Sequence, residues 1–162
     1  MATEAQGDTS WADLSRLETS QREAQMNARY EQLVQMEEPE RASAMKAMAE
    51  AEYALQDDQL RQFTLSRMRT LLQLSEEDAR TIIASYDGAM RQLPATMAMR
   101  RVALVQSLSL EFSAEDEERL RVLVPTVFGG TPRRSIVAAM EGSPTTSQPP
   151  AKQEPWWAFW RK

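Results

Sequence analysis

The sequence contains no cysteine and no histidine among its 162 residues. Without cysteine there can be no disulfide, thiolate zinc site, iron–sulfur cluster or cysteine nucleophile. Without histidine the chain lacks the commonest metal ligand and the commonest general base near neutral pH. The Glu-x-x-His pattern of di-iron helix bundles is absent for the same reason. Any chemistry would have to come from carboxylates, lysine, arginine and hydroxyl groups.

Nucleotide-binding and calcium-binding loops are also missing. The sequence contains neither GxGxxG nor GxxxxGK[ST], and no Asp-rich loop has a central glycine. Gly129 and Gly130 stand just before Pro132, a context that favours a helix end over a phosphate loop. We therefore predict a protein that is not an enzyme and uses no cofactor, no metal and no catalytic residue. An enzyme built from carboxylates stays open as an alternative.

Long apolar runs are absent as well. The longest uninterrupted ones, Ile136–Met140 and Trp156–Trp160, are five residues each. A membrane-spanning helix needs about 20 mostly apolar residues, so we expect none. The first eight residues are polar and acidic and lack the basic and apolar regions of a secretory signal. These features predict a cytoplasmic protein.

Glycine and proline are scarce before residue 129. Five of the eight prolines and three of the five glycines come after residue 128. Charge changes at the same place, because residues 1–128 hold 22 acidic and 14 basic residues, whereas residues 129–162 hold two acidic and five basic ones. This shift predicts an acidic body followed by a mildly basic, flexible tail. Residues 1–9 are expected to form a disordered N-terminus.

The body is rich in good helix formers, which predicts an all-α fold. A first helix is expected from Ser10 to about Met36, and a second from Pro39 to Leu74, which would be about 50 Å long. Residues 10–74 would then form a long helical hairpin or arm. The polar stretch 19–23 in the first helix offers little surface to bury, so we expect it to be exposed or ordered only by a partner.

Residues 75–128 are predicted to form a small three-helix bundle. Ser75 and Ser113 each precede acidic residues, a pattern typical of helix starts. Pro94 is expected to end the first of these helices and Pro125 the third. Residues 129–155 form the predicted Pro/Gly-rich linker, within which 134–141 is a candidate for one short helix.

The last seven residues have the most unusual composition, since they hold three of the four tryptophans in the chain. We predict that this segment, 156–162, is a partner- or membrane-binding peptide. Its candidate binding residues are Trp156, Trp157, Phe159, Trp160, Arg161 and Lys162. The aromatics could lie in the headgroup region of an anionic membrane, or they could anchor in a protein groove. Alternatively, the tail packs on its own body.

Methionine is abundant and its spacing predicts helical core positions, with an adaptable partner-binding surface as the alternative. The residues concerned are Met36, Met45, Met48, Met68, Met90, Met97 and Met99. The acidic clusters near Glu37, Glu76 and Glu115 are explained by helix capping and the helix dipole. The basic pairs Arg100-Arg101 and Arg133-Arg134 are too short for a nucleic-acid site on an acidic body, so we do not expect nucleic acid as a partner.

Taken together, these observations predict a non-enzymatic helical adaptor or assembly subunit. Its helical body would dock to a larger protein complex or self-associate. Its Trp-rich C-terminal peptide would tether that assembly to a membrane surface or a protein partner. With a lipid target, the protein would be peripheral at the inner face of a membrane. The alternatives are a small helical regulatory protein with its tail packed on its body and, by helix order alone, a DNA-binding helical regulator.

Overall fold

A computed structural model describes residues 10–129 of the chain. Within this range the chain forms eight helices and no strand, so the predicted all-α class is confirmed. The helices are α1 (Trp11–Leu14), α2 (Thr19–Gln35), α3 (Glu38–Tyr53), α4 (Asp57–Gln73), α5 (Glu76–Met90), α6 (Ala95–Ser109), α7 (Ala114–Leu123) and α8 (Pro125–Phe128).

The predicted helix starts at serine are confirmed. Ser75 Oγ accepts the Asp78 backbone N–H at 3.1 Å, and Ser113 Oγ accepts that of Asp116 at the same distance. Each hydroxyl thereby satisfies one of the backbone donors that a helix leaves unpaired at its first turn. Pro94 is the N-cap of α6, and Pro125 is the first residue of α8.

Replacing Ser75 with alanine tests this capping. We expect Ser75→Ala to lower the free energy of unfolding by about 1 kcal/mol, because the Asp78 amide loses its acceptor. Ser75→Asp keeps an acceptor at the same place and should remain within a few tenths of a kcal/mol of the parent. Urea denaturation of the three proteins measures both effects. Equal losses in the two variants would show that the hydroxyl acts through something other than capping.

The predicted 36-residue second helix is wrong. The chain forms α3 and α4 instead, separated by Ala54, Leu55 and Gln56. Asp57 and Asp58 occupy the first turn of α4, where carboxylates interact favourably with the helix dipole. The turn brings α4 back alongside α3, so that side chains of the two helices can pair in the interior.

The predicted first helix is also interrupted, between Leu14 and Thr19. Arg22 in the polar stretch is buried: its Nε donates to Ser66 Oγ at 2.9 Å and its Nη1 to the Leu17 carbonyl at 3.1 Å. The expectation that residues 19–23 are exposed or ordered only by an external partner is therefore wrong for Arg22. A hydroxyl of α4 and the preceding turn order this side chain from within the same chain.

One hydrophobic cluster runs from Tyr30 to Phe128 and takes residues from α2 through α8. The segments 10–74 and 75–128 therefore share a core. A smaller cluster of Leu14, Met26 and Phe63 holds α1 against α2 and α4.

The methionines divide between core and surface. The buried ones are Met26, Met45, Met48, Met68 and Met90. Met36 and Met99 are exposed. For these two residues the alternative, an adaptable partner-binding surface, stays a prediction.

Gly129 ends α8 in the left-handed conformation with φ 67°, which confirms the predicted helix stop. The predicted disordered N-terminus (1–9), the rest of the linker (129–155) and the terminal peptide (156–162) lie outside the described residues. So does the candidate helix at 134–141.

Candidate functional site

A buried polar network lies where α3, α4 and α5 meet. Glu52 of α3 has no exposed surface, and its Oε1 accepts from Thr64 Oγ1 at 2.6 Å and from Arg67 Nε at 3.1 Å. Its other oxygen, Oε2, accepts from Tyr86 Oη at 2.6 Å. Three donors from two other helices thus offset the cost of burying this carboxylate.

A second buried ion pair adjoins the first. Arg101 Nη1 of α6 lies 2.6 Å from Asp87 Oδ1 of α5, and Thr126 Oγ1 of α8 donates to Asp87 Oδ2 at 2.9 Å. The Arg67 and Arg101 guanidinium carbons lie 4.5 and 4.9 Å from the centre of the Tyr86 ring. These cation–π contacts join the two pairs through one aromatic side chain. The central network is defined here as Glu52, Thr64, Arg67, Tyr86, Asp87, Arg101 and Thr126.

The electrostatics of the network favour fixed protonation states. Burial by itself lowers the pKa of Arg67, but Glu52 and the oxygens of Tyr86, Tyr30 and Tyr53 together outweigh it, so the pKa lies above its usual value. Burial raises the pKa of Tyr86 well above its usual value and that of Tyr53 to about 12. The arginine therefore stays charged and the phenols stay neutral. Such an arrangement is suited to holding the five helices that contribute these residues in a single packing arrangement.

This network was not predicted from the sequence, although a signal was present. Glu52 follows Met45 by seven residues and Met48 by four, so it falls on the apolar face of its helix. A charged residue on such a face has to find a buried partner. Arg101 was predicted as half of a basic pair, but the structure separates the two: Arg101 is buried, while Arg100 pairs with Asp57 at the surface.

Alkaline pH should break the core in one step. All three tyrosines of the chain, Tyr30, Tyr53 and Tyr86, are buried, and burial raises the pKa of each above its usual value of 10.0. Because the pKa of each phenol is higher in the folded chain than in the unfolded chain, the contribution of the buried tyrosines to the free energy of unfolding is complete below pH 10. It is lost as the pH rises towards and beyond about 12, the pKa of Tyr53.

A titration that records tyrosinate absorbance and far-UV circular dichroism together measures this. We expect the phenols to ionise only as the helical signal disappears. Ionisation of any tyrosine near pH 10 with the helices intact would contradict the burial described above.

Several grooves mark the outer surface of the described residues, and two of them are lined in part by apolar side chains. The first, of about 190 Å³, lies between the start of α5 and α7, and its lining is Leu74, Glu76, Ala79, Glu118, Arg119, Val122 and Leu123. The second lies between α4 and α6, with Leu60 and Leu104 among its lining residues. Ion pairs of Arg100 with Asp57 and of Arg61 with Glu111 lie beside it.

The six candidate binding residues of the terminal peptide lie outside the described residues, so the structure brings none of them together. Within residues 10–129, no helix is both long and apolar enough to cross a membrane. The same range contains no group of three or more acidic side chains placed to hold a metal ion. Comparisons with protein-family models, with curated proteins and with solved structures find no significant match.

Proposed function

We propose that this chain is a non-enzymatic helical adaptor or assembly subunit. Its helical body docks to other proteins or to copies of itself, and its terminal peptide tethers the assembly to an anionic membrane surface. The observation that carries the proposal is the composition of that peptide: four aromatic residues within positions 156–160, followed directly by Arg161 and Lys162.

The arrangement of aromatic and basic residues suits a membrane interface. Tryptophan prefers the headgroup region, where its ring is shielded from water while its N–H keeps a polar partner. Arginine and lysine at the end of the peptide add attraction to anionic lipid. One such peptide binds weakly, and several on one assembly bind much more tightly because the later contacts are intramolecular.

The body supports the proposal through the way its polar groups are used. Glu52, Arg67, Asp87 and Arg101 are buried and directed at one another, so they hold the helices in place. A body fixed in this manner can present its outer helix faces in a constant geometry. That is what an adaptor requires of its folded part.

Tryptophan fluorescence tests the tether once the signal of Trp11 is removed. Trp11 is half-buried, with its ring 6.3 Å from that of Tyr30 and 4.7 Å from the Arg29 guanidinium carbon. Trp11→Phe keeps an aromatic ring there and leaves only the three tail tryptophans to emit. We expect a red emission maximum that shifts to the blue on addition of vesicles containing phosphatidylserine. Neutral phosphatidylcholine vesicles should cause a smaller shift.

The matched control replaces Arg161 and Lys162 with glutamine, which should weaken the response to anionic vesicles and spare that to neutral ones. A red maximum that does not shift on addition of either kind of vesicle would contradict a lipid target and favour a protein groove as the target. A maximum that is already blue without lipid would contradict the tether and favour a regulatory protein whose tail is buried.

A further inference from the structure

Helix α6 carries an uncharged stripe on its outer side. The stripe consists of Thr96, Met99, Ala103 and Gln106 of α6 and of Leu110, the C-cap residue directly after the helix; all are exposed and spaced by three and four residues in alternation. Met99 is 72% exposed and Leu110 is 61% exposed, the two highest values among the large apolar side chains of the described residues. The opposite side of α6 is buried against α4 and α8.

The charges around the stripe bear on what could cover it. None of its five residues is charged, so it offers nothing to a strongly acidic or basic peptide. Arg100 lies on one flank, and its guanidinium pairs with Asp57 of α4. The 3-4-3-4 spacing of such an uncharged seam is that of helices that pack side by side in coiled-coil fashion.

The order of residues along the stripe is self-complementary. When two α6 helices run antiparallel about a two-fold axis between Leu104 and Val105, Met99 of one copy opposes Leu110 of the other. Ala103 likewise opposes Gln106, and because the contact is symmetric each pairing occurs twice. Arg100 then comes beside Ser107 of the second copy, so like charges do not meet. The two most exposed large apolar side chains thereby cover each other.

We propose that α6 is a self-association surface on which two copies of this chain pack antiparallel. The proposal deepens the proposed function and rests on it for its purpose: a dimer carries two terminal peptides, which raises the effective concentration of the second once the first has bound.

A charge exchange across the seam tests both the surface and the register. We expect sedimentation equilibrium of the full chain to show a dimer. Met99→Lys and Leu110→Glu should each raise the dissociation constant about 100-fold, since each places a charge at two symmetry-related contacts. The double variant should recover most of this loss, because the lysine introduced at position 99 then meets the glutamate introduced at position 110 of the other copy. Within one helix the two positions are about 16 Å apart, too far to pair.

Ala28→Lys is the matched control, because it adds a charge to an exposed apolar residue on α2 and should leave the dimer intact. Far-UV circular dichroism confirms that each variant is folded. A monomeric parent, or a dimer indifferent to Met99→Lys and Leu110→Glu, would overturn the proposal. Failure of the double variant to recover would overturn the antiparallel register. Vesicle binding is measured separately, so loss of the tether and loss of the dimer are distinguishable.

Discussion

Glu52→Ala is expected to lower the free energy of unfolding by about 3–5 kcal/mol, one of the largest effects available in this chain. The substitution leaves Arg67 as a buried cation, and Thr64 and Tyr86 as buried hydroxyl donors without their acceptor. Each of those groups then carries the desolvation cost that the carboxylate had offset. Since small domains have only about 5–15 kcal/mol in total, the loss is a large part of the stability.

Urea denaturation at neutral pH measures the effect, and Glu50→Ala provides a control on the same helix. The Glu50 carboxylate lies 3.5 Å from Lys46 Nζ at the surface, where an ion pair contributes about 0–1 kcal/mol. Similar small losses in both variants would contradict the buried network. Replacing Glu52 and Arg67 together with methionine removes both charges, and this double variant should be more stable than Glu52→Ala.

Phe63→Ala should cost about 3–5 kcal/mol. The Phe63 ring has no exposed surface and packs with Leu14 and Met26 in the small cluster that holds α1. Its removal opens a cavity between α1, α2 and α4, and the neighbouring side chains can fill it only in part.

The denaturation midpoint of Phe63→Ala measures this cost, with Val122→Ala as its control. Val122 is 53% exposed, so its truncation should change the free energy of unfolding by no more than about 0.5 kcal/mol. A loss for Phe63→Ala as small as that of the control would show that the α1 cluster is not a stabilising part of the fold.

Features encoded in a few neighbouring residues could be predicted from the sequence. Ser75 and Ser113 cap helices with their own hydroxyls, and the acids that follow them favour the helix start. Pro94, Pro125 and Gly129 restrict the backbone by themselves. Such signals need no knowledge of the rest of the fold, so α5, α6 and α7 were predicted nearly as the structure has them, whereas the separate short helix α8 was not predicted.

The two breaks in the first half could not be found in this way. The segments 15–18 and 54–56 contain neither glycine nor proline, and their residues tolerate helix. The chain turns at 54–56 because Thr64 and Arg67 pair with Glu52, and that pairing is decided by three-dimensional packing. Asp57 and Asp58 were the local sign of a new helix start.

The candidate binding features likewise differ in whether the sequence alone shows them. The Trp-rich peptide is visible in the sequence because its composition alone is unusual. The exposed stripe of α6 is not, because Met97 and Met99 have the same residue type and only packing against α4 and α8 makes one half-buried and the other exposed. An apolar residue type indicates that a helix face can be buried. Packing against the neighbouring helices decides which of two such faces stays exposed.

In the proposed function the helical body folds by itself and the terminal peptide supplies the binding. Comparing the full chain with a chain ending at Pro132 tests it most directly, by recording thermal unfolding and vesicle binding of both. We expect the same far-UV spectrum and nearly the same melting temperature, with vesicle binding retained only by the full chain. A shorter chain that melts at a clearly lower temperature, or that still binds vesicles, would contradict it.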